Sequence, residues 1–522
     1  MNGADLALAL AQLTAPDRVS TTLPDRSAYA RDLWPRGLLG VRAGEGAPHA
    51  PDAVVWPETV AEVQAIVRLA AAERVALVPF GAGSGVCGGT LPLRRGVVVD
   101  LKRMRRLVAL DREQGTATFE AGVLGEHLEH ELNRRGYTLG HFPSSIMCST
   151  LGGWLAARSA GQYSSRYGKI EDMVRSLEFV SGTGARYDTS GWHGSIDWNQ
   201  LLVGSEGTLG IITRAELAIQ PAPEVRHLRG FVMPRLATGC EALRRVMQRG
   251  LRPSVMRLYD EFDTQLARRS SVPDSGVDET APHESRLAAA LDQAFAHRAI
   301  AKIKSLALGM ALRRPALINL AVDSLLPRIA GGCLLIVGTE GDHRLADAEA
   351  KAIFRELEAA GGQDLGPGPG ERWLAHRYDV SFKQSPIFAA GGFADTMEVA
   401  IRWDRLLDLY HAVRAAVAPY AFIMAHFSHA YRDGCSIYFT FAGAAPDPRS
   451  APGAVERRYD QTWRAALSAV TRIGATISHH HGVGLAKAAF MPDEHGAAMA
   501  IFRALKRTLD PSGILNPGKM GL

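Results

Sequence analysis

From Thr59 to Glu73 the apolar residues Val60, Val63, Ile66, Val67 and Ala70 recur at helical spacing, and the run Val75-Ala76-Leu77-Val78 predicts a strand directly after it. A dense glycine loop follows, Pro79-Phe80-Gly81-Ala82-Gly83-Ser84-Gly85. Gly96–Asp100 reads as a buried strand, Ala117–Val123 as another, and Leu124–Arg135 as a helix closed by Gly136. Ser176–Val180 predicts a strand entering the turn Ser181-Gly182-Thr183-Gly184, and a second short strand ends in Ile211-Ile212-Thr213. Pro221 and Pro223 close this mixed unit. From Glu224 to Pro446 strands such as Leu334–Val337 and Ile437–Phe441 alternate with long helices such as Leu345–Ala360, the pattern of a second, α+β domain. After Gly453 come a helix to Arg472, the cluster Ser478-His479-His480-His481-Gly482-Val483-Gly484, a helix over Asp493–Leu509 and the stop Asp510-Pro511-Ser512-Gly513. No internal repeat interrupts this order.

Composition narrows the class. At 522 residues and 47% hydrophobic content the chain has material for more than one core. The division expected is an N-terminal helical segment 1–48, a first domain 49–223, a second domain 224–452, and a closing segment 453–522. A net charge of +5 spread along the chain suits anionic small molecules or lipid surfaces and does not suggest nucleic acid. Cys87, Cys148, Cys240, Cys333 and Cys435 lie far apart without metal spacing, which points to a reducing compartment and a cytoplasmic location. Met1–Pro16 lacks the basic start of a signal peptide, and no apolar run of about 18 residues predicts a spanning helix. Residues 294–322 carry Arg298, Lys302, Lys304, Arg313 and Arg314 among leucines and isoleucines with no acidic residue, as in a helix pair lying on an anionic membrane. A domain helix packed on its apolar side has the same composition.

Three small-residue loops carry the first chemical signal: Pro79–Gly85, Ser149-Thr150-Leu151-Gly152-Gly153-Trp154, and Gly204-Ser205-Glu206-Gly207-Thr208-Leu209-Gly210. Glycines at the density of the first let backbone amides approach an anion, so the loop reads as a phosphate cradle, the alternative being a plain turn. On the Cys435–Phe441 strand, Ser436, Tyr438 and Thr440 share one face while Ile437 and Phe439 pack behind, so the phenol is free to face a pocket. A phenol of pKa about 10 works as a base near neutrality only if that value is lowered or its proton relayed; the alternative is an ordinary strand tyrosine. In an extended segment only His479 and His481 would share a face, a poor metal set, and the three histidines suit proton handling better. Arg257, set among Val255, Met256 and Leu258, calls for an anionic partner, either a ligand or a carboxylate such as Asp260.

Taken together these motifs resemble the vanillyl-alcohol-oxidase type of FAD-linked oxidase, in which FAD lies between two α+β subdomains under an α+β cap. Within it, Pro51–Pro57, Ser149–Trp154, Tyr167–Asp172, Cys435–Phe441 and Ser478–Gly484 are similar to the alkyldihydroxyacetonephosphate synthase family. The resemblance implies FAD contacts from Pro79, Phe80, Gly81, Ala82, Gly83, Ser84 and Gly85 on the pyrophosphate. It implies further contacts from Ser144, Ser145, Ile146, Met147, Cys148, Ser149, Thr150, Ala157, Arg158, Ser159 and Ala160 along the flavin side. Glu206, Gly207, Thr208, Leu209, Gly210, Ile211 and Ile212 fall near the adenine half. Some relatives bond the flavin covalently through a histidine of the first loop; no histidine lies between Pro79 and Pro92, so non-covalent FAD is expected.

The same resemblance makes Tyr438 the catalytic acid or base, aided by His479, His480, His481 and Arg257. The implied reaction exchanges the acyl chain of an acyl-dihydroxyacetone phosphate for a fatty alcohol, with no net oxidation. The substrate is then lipid-like, and a homodimer is compatible with the reading. The family's phosphate-binding arginine falls on Gln384, with Lys383 beside it, a departure that loses the bidentate fork. The alternative is an FAD-linked 2-hydroxy-acid dehydrogenase. Those relatives carry a His-x-Gly-Asp-Gly-Asn metal segment and a Glu-His-Gly motif, whereas here His426-Phe427-Ser428-His429 lacks the glycines and His480 occupies the glutamate position.

Overall fold

The computed structural model describes residues 3–192, 194–269, 308–329, 331–379, 384–447 and 453–522. The first sheet holds β1 (Val19–Ser20), β2 (Ala53–Val55), β3 (Leu77–Phe80) and β4 (Val97–Asp100) in the order β1-β2-β4-β3, with β4 parallel to both β2 and β3. The helix Val60–Glu73 connects β2 to β3; Thr59 and Glu62 form a reciprocal capping box at its start, and Arg74 ends it at φ 54°. The strand begins at Leu77 rather than Val75. Val75 still donates to Ala70 in the turn leaving the helix, so the ladder with β4 starts at Leu77↔Val97 and runs through Pro79 and Phe80.

The strands continue with β5 (Leu107–Asp111), β6 (Thr116–Glu120), β7 (Tyr137–Thr138), β8 (Val174–Val180), β9 (Arg186–Asp188), β10 (Ile211–Ala218) and β11 (Gln220–Pro221). β7 and β11 form a ribbon, and the rest form an antiparallel sheet in the order β5-β6-β10-β8-β9. β10 is longer than its sequence suggested because it pairs on both edges, with β6 and β8. The two sheets and their helices share one apolar core, including Val67, Val99, Phe119, Leu151 and Leu217.

The third sheet is built from β12 (Val225–Met233), β13 (Val255–Tyr259), β14 (Cys333–Gly341), β15 (Gln363–Asp364), β16 (Phe393–Arg402), β17 (Phe422–Ala430) and β18 (Gly434–Gly443), in the order β15-β12-β14-β13-β17-β18-β16. One face is apolar: Phe231, Leu335, Phe427, Ile437 and Phe439 pack on Leu243, Ile353, Val413 and Leu467 from the helices Leu236–Gln248, His343–Ala359, Leu406–Val417 and Ala454–Ile473. The other face carries the polar residues described below.

The closing segment returns to the first unit. The helix expected over Asp493–Leu509 is two, Met491–His495 and Ala498–Leu509, because Gly496 leaves the helical region at φ 49°. Leu515 then bridges Leu77, and Asn516 donates its Nδ2 to the carbonyls of Gly89 (2.9 Å) and Glu206 (2.7 Å). Asp510, 2% exposed, organises this return by accepting from Ile514 N, Leu515 N and Lys506 Nζ. Asp510→Ala removes all three bonds and leaves the Lys506 ammonium, still bonded to the carbonyls of Thr208 and Leu515, without its counter-charge; a loss on the order of 3 kcal/mol, read as a lower Tm, is expected. An unchanged Tm would show that the tail is held elsewhere.

Candidate active site

The polar face of the third sheet is aligned by register. Glu398 on β16 lies opposite Tyr438 on β18, Tyr438 opposite His426 on β17, and His426 opposite Tyr259 on β13. Cross-strand partners share a face, so these four side chains form one row, and Arg257, two residues before Tyr259, stands beside it. The His426 and Tyr438 rings stack at 4.7 Å and 19°. The Tyr438 hydroxyl donates to Thr396 Oγ1 at 3.0 Å. Burial pushes its pKa up to about 12, so the phenol keeps its proton near neutrality.

Glu398, 0% exposed, shapes the histidine loop. Its carboxylate accepts from the backbone N–H of His480 (2.9 Å) and His481 (2.6 Å), from Ser478 Oγ (2.8 Å) and from Lys487 Nζ (2.9 Å). Segment 478–481 is therefore wrapped around an anion. This corrects the expectation of an extended run with alternating faces: all three imidazoles join one cluster. His480 and His481 lie 6.2 and 5.5 Å from the Tyr438 ring, and His479 Nδ1 faces His480 Nδ1 at 2.9 Å. His429, on the bulged end of β17, approaches His480 at 4.8 Å and His479 at 5.3 Å.

The charges of this cluster are settled by burial and by Glu398. Burial opposes the Glu398 carboxylate, yet the positive charge facing it, His481 when protonated and Lys487 throughout, holds it well below the usual range. Lys487 stays a cation, raised because Glu398 outweighs its burial. Burial lowers His426, His429, His479 and His480 well below the ordinary imidazole value, with His481 lowered less far. Near pH 7 the cluster is thus a set of neutral imidazoles.

Arg257 has no carboxylate in salt-bridge range among the described residues. Its Nη2 lies 3.3 Å from His426 Nδ1, its guanidinium sits over the Tyr259 ring at 5.3 Å, and its buried Nε has no partner. Asp260 is engaged elsewhere, 3.6 Å from Arg414 and accepting from Ala425 N at 2.7 Å. Gln384 is half-buried at the start of the helix Ser385–Ala389, while Lys383 lies outside the described residues.

The loop after β3 fits a pyrophosphate. Lys102 Nζ donates to Gly81 O at 2.9 Å and Leu33 N donates to Gly85 O at 2.9 Å, holding the loop by its carbonyls. Among the described residues none of the N–H groups of Gly81 through Gly85 donates within the chain, leaving consecutive amides for an anion. A Cβ on Gly81 would collide with Thr150 Oγ1, and Gly83 takes φ +67°, so the close approach requires glycine at both positions. The sequence reading placed no cation in the loop; the structure brings Lys102, paired with buried Asp100, in from behind.

Other predicted contacts divide by what their side chains already do. Ser149 Oγ accepts from Trp154 Nε1 at 2.7 Å, Thr150 caps the helix Leu151–Ala157, and Ile146 is buried, whereas Ser144, Met147 and Cys148 are exposed. Arg158 turns away to Gln200, and Ser159 Oγ meets His141 Nε2 at 3.2 Å. The Glu206 carboxylate accepts from Val483 N and from Gly484 N (2.8 Å), tying its loop to the end of the histidine loop. Leu209 and Ile211 lie in the core, so they offer a nucleotide only backbone. Sequence reasoning missed Glu398, Lys487 and Lys102 as site residues, and saw His426 and His429 only as remnants of a metal segment.

Comparison with known proteins agrees with this geometry. Residues 51–190 match the FAD binding domain model, and residues 222–520 match the model of the FAD linked oxidases, C-terminal domain. The chain belongs to the FAD-linked oxidases and is an FAD enzyme. It is 31% identical to alkyldihydroxyacetonephosphate synthase of Trypanosoma brucei brucei, covering 94% of this chain and 75% of that protein, and 30% identical to the synthase of Dictyostelium discoideum, covering 97% and 79%. Within the oxidases it belongs to the alkyldihydroxyacetonephosphate synthase family. A solved synthase superposes with TM-score 0.76 at 27% identity, covering 99% of this chain and 85% of that one. The glycolate oxidase subunit of Bacillus subtilis is more distant, at 24% identity over 99% of this chain and 96% of that protein.

Neutral buried imidazoles make a signed prediction. Where the folded pKa is depressed, the unfolded chain binds the extra proton below about 6.5, so the imidazole's contribution is full above that pH and declines below it. The Tm advantage of the parent over His479→Gln is expected to shrink from pH 7.5 to pH 5.5. A constant advantage would mean that the His479 pKa is not shifted by folding, and a growing one that the folded state favours the imidazolium.

Proposed function

We propose that the chain exchanges the acyl chain of an acyl-dihydroxyacetone phosphate for a fatty alcohol and releases the fatty acid, atoms balancing with no net oxidation. The observation that carries the reading is the Tyr438 phenol set in a row with Glu398 and His426 and enclosed by neutral His480 and His481. FAD, held without a covalent bond by the amides of Gly81–Gly85, supplies an electrophilic ring. Tyr438 takes the proton from the ester-bearing carbon as its own proton passes toward an imidazole of His480 or His481. Thr396 orients the phenol, and the Arg257 charge favours its anionic form. Glu398 and Lys487 hold the loop in place and, as a matched pair, leave the imidazoles uncharged.

Tyr438→Phe should keep FAD and its yellow colour while exchange of labelled hexadecanol into acyl-dihydroxyacetone phosphate falls at least 100-fold, roughly the scale of a lost proton-transfer group. Undiminished exchange would remove the phenol from the mechanism. Flavin bleaching by D-lactate in a parent that does not exchange would favour the 2-hydroxy-acid dehydrogenase instead.

A peripheral membrane contact is part of this proposal. Residues 294–307 lie outside the described residues, but the helix Pro315–Ile329 exposes Leu317 (60%) and Leu320 (65%) beside Arg313 and Arg314, with Asn319 buried on its inner side. No helix among the described residues is long and apolar enough to cross a membrane. Flotation with anionic liposomes at low salt should carry the protein upward, and Leu317→Ser/Leu320→Ser should weaken this; a parent that stays at the bottom ends the membrane proposal.

A further inference from the structure

His429 occupies a backbone geometry that histidine does not favour. It lies in the left-handed region at φ 53°, at the point where the β17–β18 register shifts between Ser428 and Ala430. A side chain there costs on the order of 1 kcal/mol relative to glycine. A bulge of this kind turns one side chain out of its strand's alternation. Here it brings the imidazole onto the histidine loop.

Two sides of the His429 ring are then fixed. Its Nδ1 is 2.7 Å from Ser164 Oγ, a hydroxyl 2% exposed that also lies 3.1 Å from the Tyr431 phenol. Ser164 opens the short helix Ser164–Tyr167 of the first unit, so the bond joins that unit to the third sheet. The ring also contacts His480 at 4.8 Å and His479 at 5.3 Å. His479 and His480 share one short Nδ1···Nδ1 contact, which allows a single proton between them, and Tyr431 covers His479 from another side at 5.6 Å. Among the described residues, His429 is the group that contacts both rings and also reaches across to the FAD-binding unit.

We propose that His429 is a positioning residue: with Ser164 it sets the ring orientations of His480 and His479, and so the geometry in which they serve Tyr438. It touches neither the reacting carbon nor the phenol. The inference rests on the His480 branch of the proposed proton path and deepens it.

His429→Gly is the direct test, because glycine relieves the backbone and leaves a space the size of an imidazole. The variant, loaded with FAD, is assayed for hexadecanol exchange and, in parallel, for flavin bleaching by D-lactate, so that a parent active only in the second assay sinks the exchange reading while His429 is still judged. The expected result is a kcat lower by about 100-fold, KM within threefold, and recovery of at least tenfold on adding free imidazole, which also raises the variant's Tm but not the parent's. Ser164→Ala should lower kcat in the same direction, without rescue. If His429→Gly does not retain FAD, His429→Asn, which tolerates the same φ, takes its place. Activity within threefold of the parent would overturn the proposal. So would imidazole that restores Tm but not kcat, since the ring would then be packing alone.

Discussion

A single buried carboxylate organises the catalytic end of this molecule. Glu398 has no exposed surface and is met by two backbone amides, a serine hydroxyl and a lysine ammonium. Burying an anion is costly unless it is paired and hydrogen-bonded, and here both conditions hold. The donors come from one short stretch, Ser478 to Lys487, so satisfying the carboxylate bends that stretch. The three histidines converge as a result. Because Lys487 already balances the charge, nothing in the cluster requires an imidazolium.

The sheet carrying Glu398 separates two jobs by its two faces. Ile437 and Phe439 anchor β18 in a core shared with four helices, while Tyr438 between them points the other way, into the row with Glu398 and His426. A one-residue slip of β18 would exchange these faces and is opposed by the whole apolar core. The FAD-binding unit is fastened by direct bonds to the histidine loop (Glu206 to Val483 and Gly484), to the C-terminal tail (Gly89 and Glu206 to Asn516) and to the third sheet (Ser164 to His429).

What could be read in the sequence was local. The glycine loop follows from glycine chemistry, the helix Val60–Glu73 from its periodicity, and the face of Tyr438 from strand alternation. What could not be read depended on partners far along the chain. Glu398 is a lone carboxylate in the run Thr396-Met397-Glu398-Val399, a hint in itself, but its contact with residues more than 75 positions later exists only in the folded chain. Lys102 reaches a loop about twenty residues earlier by crossing the end of β4, and Lys487 sits in a loop with no periodicity. The bend at His479–His481 was misjudged for the same reason, since an extended segment is the default until an anion gathers its amides.

The most direct test is a crystal structure of the FAD-loaded protein. The account predicts pyrophosphate oxygens within hydrogen-bond distance of the N–H groups of Gly81–Gly85, and the isoalloxazine beside the Tyr438 phenol and the His480 imidazole, with Glu398 still bound to the amides of His480 and His481. A flavin bound away from that phenol, or a Glu398 released from those amides, would contradict it.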